Sequence, residues 1–247
     1  MNNNLRFKTK LFFLFCMLIP FAGISQTKNL VSTHRVFPKV DKVLEFEKAI
    51  AAHAQKYHSG TAFWRVFAIQ SGPDAGGFHI SEGPTSWEAE DVRGDLGADH
   101  KLDWNKNVAI YLTDRQSTGY SVYQDSLSTV ALGDYSDKIN ISHVYPKIGQ
   151  NDNVENIIKK LKKTWVYSGV SVAVYAASSS GESQYTIVTR YKQGLKERAP
   201  GFRKPFKERY EAVNGEGSLA QYSKDAAEFI DKSWSELLFL RADLGSK

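Results

Sequence analysis

His34-Arg35-Val36-Phe37-Pro38-Lys39-Val40 returns 108 residues later as Ser142-His143-Val144-Tyr145-Pro146-Lys147-Ile148. The echo continues: Tyr57-His58-Ser59-Gly60 recurs as Val166-Tyr167-Ser168-Gly169, Val66-Phe67-Ala68 as Val174-Tyr175-Ala176, and Phe78-His79-Ile80 as Tyr185-Thr186-Ile187. Offsets that stay between 107 and 109 are not independent matches, and a repeat of fixed period sets the architecture before any motif does. The chain reads as two homologous halves, 26–133 and 134–247.

Both halves carry the same order of elements. Leu30 to Phe37 and Ile139 to Tyr145 are rich in β-branched and aromatic residues and read as strands. Pro38 and Pro146 end them, because proline lacks the amide donor of a ladder. Val154, Ile157, Ile158, Leu161 and Trp165 then form one apolar helical stripe behind the candidate caps Asn151 and Asp152. Val43, Phe46, Ile50 and Tyr57 do the same behind Asp41. Gly60 and Gly169 suit helix C-termini. Strands are predicted over 62–70 and 77–82 and over 170–177 and 184–189. Helices follow at 98–115, 202–213 and 218–233, with last strands at 120–124 and 237–241.

The order β-α-β-β-α-β is the ferredoxin-like pattern, an antiparallel sheet with helices on one face. Its bare face needs a partner, and the second half supplies one. The fold class is therefore α+β: two tandem ferredoxin-like repeats whose antiparallel sheets pack face to face as an intramolecular α/β barrel. Such a tandem resembles the dimeric α/β-barrel superfamily, by topology and by the V-[FY]-P-K echo. That superfamily includes antibiotic-biosynthesis monooxygenases, EthD-like, NIPSNAP-like and stress-responsive proteins, and haem-binding chlorite-dismutase-like proteins. The resemblance implies a cavity between the sheets.

Residues 1–25 carry Arg6, Lys8 and Lys10, then the apolar run 11–19, then small residues at Gly23 and Ser25. This is the pattern of a cleaved export signal, too short to span a bilayer comfortably. It predicts a periplasmic or extracellular protein with no stable membrane insertion after cleavage. Cys16 is the single cysteine, so the remainder has neither disulfides nor thiolate metal ligands. Removing three basic residues from the formal charge of +5 leaves 29 Lys+Arg against 27 Asp+Glu, and a nucleic-acid partner is not expected.

Strand alternation divides the side chains. Val36, Val144, Val66 and Val174 suit packing under helices. Arg35, Phe37, Arg65, Phe67, His79 and Tyr175 fall on the other face, with His143 and Tyr145, and form the candidate ligand lining. His143 beside Tyr145 is the candidate base. The halves differ here: Arg35 becomes His143, Arg65 becomes Ala173, and His79 becomes Thr186. His34 falls on the valine side, His53 and His58 are five apart and share no helix face, and His100 stands in an acidic loop. No metal site is expected. The resemblance would allow haem, with His143 or His79 as axial ligand, but no local pattern supports it and no cofactor is expected. Zincin, nucleophile-elbow, P-loop and dinucleotide motifs are absent.

Residues 26–133 hold 11 basic and 13 acidic residues, and 134–247 hold 18 and 14. The basic run from Arg190 to Arg209 reads as a solvated face, an anion-attracting surface, or one side of a charge-complementary contact in a homo-oligomer. Three functional classes stay open. The first is an exported binding protein for a small aromatic or anionic molecule. The second is a cofactor-independent oxygenase or isomerase acting on an aromatic substrate, and the third a structural envelope protein with a filled core.

Overall fold

The computed structural model describes residues 27–93, 96–179 and 181–247. The expected export signal lies outside them. The strands are β1 (Leu30–Pro38), β2 (Trp64–Ile69), β3 (Phe78–Thr85), β4 (Leu112–Tyr123), β5 (Lys138–Pro146), β6 (Val172–Ala177), β7 (Tyr185–Arg190) and β8 (Ile230–Leu240). They close a barrel in the order β1-β3-β2-β8-β5-β7-β6-β4, every pair antiparallel. Closure runs through two seams. Phe67, Ala68 and Ile69 pair with Leu240, Phe239 and Leu238, and Ser121, Val122 and Tyr123 pair with Ala177, Ala176 and Tyr175. The sheets therefore join edge to edge as well as facing each other, which leaves no open strand edge.

The helices are α1 (Val43–Tyr57), α2 (Trp87–Arg93), α3 (Ala98–Asp103), α4 (Asn151–Tyr167), α5 (Phe206–Asn214) and α6 (Ser218–Phe229). None among the described residues is long and apolar enough to cross a membrane. Alternation along the strands separates three cores. Val36, Val66 and Ile80 pack outward beneath Phe46 and Ile50 of α1. Val144, Val174 and Ile187 pack beneath Val154 and Ile158 of α4. Val31, Phe67, Ile141, Val188 and Leu238 meet inside the barrel.

Several boundaries differ from expectation. The helix expected over 98–115 stops at Asp103, continues as a π turn to Val108 and a 3-10 turn to Tyr111, and gives way to β4. Residues 113–118 of β4 are exposed, so they carry no alternating apolar signal; the ladder to β1, from Val122 opposite Leu30 to Leu112 opposite Pro38, decides their conformation. Helix α6 ends at Phe229, four residues early, because β8 pairs with β5 from Ile230 onward. Asn151 does not cap α4; its side chain accepts a hydrogen bond from Ser183 Oγ instead. Gly169 follows the end of α4 at φ +61°, whereas Gly60 stands three residues beyond α1.

Candidate functional site

The lumen is not filled. It holds a cavity of about 400 Å³, within the range of small-ligand pockets, which counts against a solid envelope core. Of the predicted lining, Arg35, Arg65, Phe67, His79, His143, Tyr145 and Tyr175 reach this cavity. Phe37 does not. One step beyond Arg35 on the same face of β1, it packs against Gly77, where an added Cβ would come within 2.5 Å of the ring, and stacks under the Arg115 guanidinium at 3.9 Å.

A charged network occupies the level of Arg35 and His143. Glu236, its side chain fully buried, accepts both arms of the Arg35 guanidinium, with Nη1 at 2.9 Å from Oε2. Arg35 Nη1 also donates to Asp74 Oδ2 at 2.6 Å. His143 Nε2 stands 2.8 Å from Glu236 Oε1, and since a carboxylate only accepts, this nitrogen carries the proton. His143 Nδ1 then accepts from the Gln184 amide at 2.6 Å, and the ring stacks on Trp234 at 3.9 Å between centroids. Burial by itself would raise the Glu236 carboxyl, but hydrogen bonds from His143 and Arg35 outweigh it and hold the group at about 2. Gly72, at φ +96°, lets the turn before β3 lie on β8 and deliver Asp74; an added Cβ would stand 3.0 Å from Glu236 Cβ and Ser235 O.

His79 faces Arg35 across the β1–β3 ladder. Burial, and next the Arg35 charge, push it down to about 3, so it is a neutral imidazole. Its Nδ1 is buried with no hydrogen-bond partner among the described residues. Unsatisfied nitrogens of this kind are uncommon in folded proteins.

A second polar level lies around Tyr135. The Arg65 guanidinium stacks on this ring at 3.8 Å and the Arg190 guanidinium approaches it at 5.1 Å. Arg190 is 2% exposed. It donates to the Ala131 and Leu132 carbonyls at 3.0 and 3.2 Å and to Tyr175 Oη at 3.1 Å. Arg65 donates to the Gly83 carbonyl at 3.1 Å. No carboxylate pairs with either among the described residues. Burial pushes the Tyr175 phenol up to about 12, although Arg190 opposes it.

Arg190, Tyr135, Trp234 and Glu236 escape the sequence reading. Arg190 sits at the end of the inward series Thr186, Val188, Arg190, a signal that alternation carried, but its membership of the basic run concealed it. Trp234 and Glu236 fall between the helix expected to end at 233 and the strand expected to begin at 237. The basic run itself is not one solvated face: Arg190 is internal, Lys192 pairs with Asp134, and Arg203 pairs with Glu197 at 2.5 Å. The histidines set aside also differ from expectation. His53, His58 and His100 meet outside the barrel, because His58 falls just past α1 in extended backbone (φ −112°, ψ 106°) and His100 lies on α3.

The haem that the resemblance allows finds no axial ligand in His143, whose two ring nitrogens are engaged by Glu236 and Gln184.

No protein-family model and no curated protein sequence matches the chain. Solved structures do. An anthrone oxidase-like protein superposes with a TM-score of 0.54 at 14% identity, covering 87% of this chain and 92% of its own. A provisionally named monooxygenase of Fusobacterium nucleatum gives 0.52 at 13% identity, over 85% and 91%. The chlorite dismutase of Candidatus Nitrospira defluvii gives 0.52 at 9% identity, over 88% and 95%. The likeness is one of fold: like these structures, the chain forms an α+β antiparallel barrel.

Proposed function

We propose that the protein binds a small anionic molecule with a flat aromatic part inside its barrel. The observation that carries this reading is the Arg190 guanidinium, buried in the cavity wall beside Arg65 with carbonyl and phenol partners but no counter-charge. A buried unpaired charge is costly, and an anion at the same site offsets that cost. Tyr135, Phe67 and Tyr175 supply surfaces for the aromatic part. The test is mass spectrometry of molecules that co-purify, followed by titration with benzoate and naphthoate monitored through Trp234 fluorescence. Arg190→Gln and Arg65→Gln should each weaken carboxylate binding by at least tenfold. Equal binding of the corresponding neutral amides would remove the anion from the reading.

A second reading, a cofactor-independent oxygenase or isomerase, rests on the neutral, unsatisfied His79 in the lumen and on neighbours named as monooxygenase and anthrone oxidase-like. His79 would hydrogen-bond the substrate as a neutral ring, with His143 and Tyr145 orienting it. Oxygen uptake with a polyphenolic substrate, lost in His79→Gln, would favour it. We also infer that 26–133 and 134–247 are copies of one unit and that 1–25 directs export. The copies are supported by equivalent pairs: Arg35 faces His79 where His143 faces Thr186, and Phe67 faces His79 where Tyr175 faces Thr186.

A further inference from the structure

We propose that His53, His58 and His100 form a binding site for a zinc-class divalent cation, separate from the barrel cavity. The three residues come from α1, the segment just after it, and α3. His53 and His58 are buried and His100 half-buried. Their Nε2 atoms stand 3.2 Å (53 to 100), 3.4 Å (53 to 58) and 3.3 Å (58 to 100) apart. Imidazole nitrogens bound at about 2.0–2.1 Å to one tetrahedral zinc lie roughly 3.4 Å from each other. The ring centroids are farther apart than the nitrogens, at 4.8, 5.3 and 5.3 Å, so the rings splay outward from a point between the Nε2 atoms.

His53 Nδ1 stands 2.7 Å from Asp103 Oδ2, and His58 Nδ1 stands 3.2 Å from Glu82 Oε2. Carboxylates accept, so in a neutral His53 ring the proton sits on Nδ1 and a lone pair on Nε2, whereas the His58–Glu82 contact lacks hydrogen-bond geometry. A cation at the centre of the triangle would be within reach of all three Nε2 atoms.

The surroundings suit a metal. A carboxylate behind a ligating imidazole fixes its tautomer and raises its basicity, and such outer partners matter to affinity. Here Asp103 is itself held by Asn107 Nδ2 at 2.8 Å, and Glu82 by Trp64 Nε1 at 2.5 Å. Trp64 also stacks on His58 at 3.6 Å between centroids. An all-imidazole donor set favours zinc and cobalt(II) over magnesium or calcium. Three ligands leave the fourth tetrahedral position to water or an anion. Bound metal would tie α3 to α1.

The experiment uses untagged protein stripped with EDTA and titrated with cobalt(II). We expect saturation at one equivalent with the visible bands of a tetrahedral cobalt site, their loss on adding one equivalent of zinc, and a zinc-dependent rise in the thermal midpoint. His100→Ala should weaken cobalt binding by at least tenfold, and Asp103→Asn by about 10–100-fold. Both positions lie on α3 and test the site even where a buried His53 variant fails to fold. Absence of one-equivalent binding to wild-type protein would overturn the proposal, as would folded His100→Ala and Asp103→Asn proteins, verified by circular dichroism, that bind cobalt as tightly as wild type.

Discussion

Glu236 and His79 show how a few buried groups couple the lumen to pH. The Glu236 carboxyl is held at about 2 in the folded chain, below its ordinary 4.5, so its stabilisation is complete above 4.5 and lost as pH falls toward 2. His79 is held at about 3 against an ordinary 6.5, so the unfolded chain binds the extra proton and stability falls as pH drops from 6.5 toward 3. Urea unfolding across pH 7 to 3 should show acid destabilisation that begins near 6.5, with a contribution from His79 approaching about 1.4 kcal/mol per pH unit. His79→Asn should flatten the upper part of that profile. Glu236→Gln should flatten the lower part and cost about 3–5 kcal/mol at neutral pH, because Arg35 and His143 lose a buried charged partner. A profile unchanged in both variants would contradict these assignments.

The elements follow from pattern where one face is buried and depart from it where neither is. Helix α4 was legible because Val154, Ile157 and Ile158 are buried at helical spacing. Ile158→Ala should therefore cost about 2–5 kcal/mol by urea denaturation. The turn between β2 and β3 was legible as a turn, but the contact of Gly72 with β8 was not, since it joins residues more than 160 positions apart. Gly72→Ala should destabilise by about 1–3 kcal/mol through its positive φ and weaken the Arg35–Asp74 contact. A urea midpoint equal to wild type would show that the turn shifts freely. Strands β4 and β8 were mostly hidden because ladders to distant partners outvote local propensity.

The whole molecule depends on closure. The β2–β8 and β4–β6 seams join residues from the two halves of the chain, and the lumen core draws Val31 and Phe67 together with Ile141 and Leu238. A chain cut at residue 133 would leave each piece with two unpaired strand edges and an apolar inner face. Size-exclusion chromatography with light scattering should find neither piece as a folded monomer, while an equimolar mixture should recover part of the intact barrel's circular dichroism. A monomeric, cooperatively folded half would show that closure is dispensable.

The amino-acid sequence alone determined the outward valines and seven of the eight residues predicted to line the cavity, because a two-residue alternation survives without knowledge of partners. Tertiary structure alone decided that Phe37 stays outside, that Glu236 bridges Arg35 and His143, that Arg190 turns inward, and that three histidines from separate segments meet. Each of these depends on strand register or helix placement between residues far apart in the chain, and such distances are set only when the barrel closes.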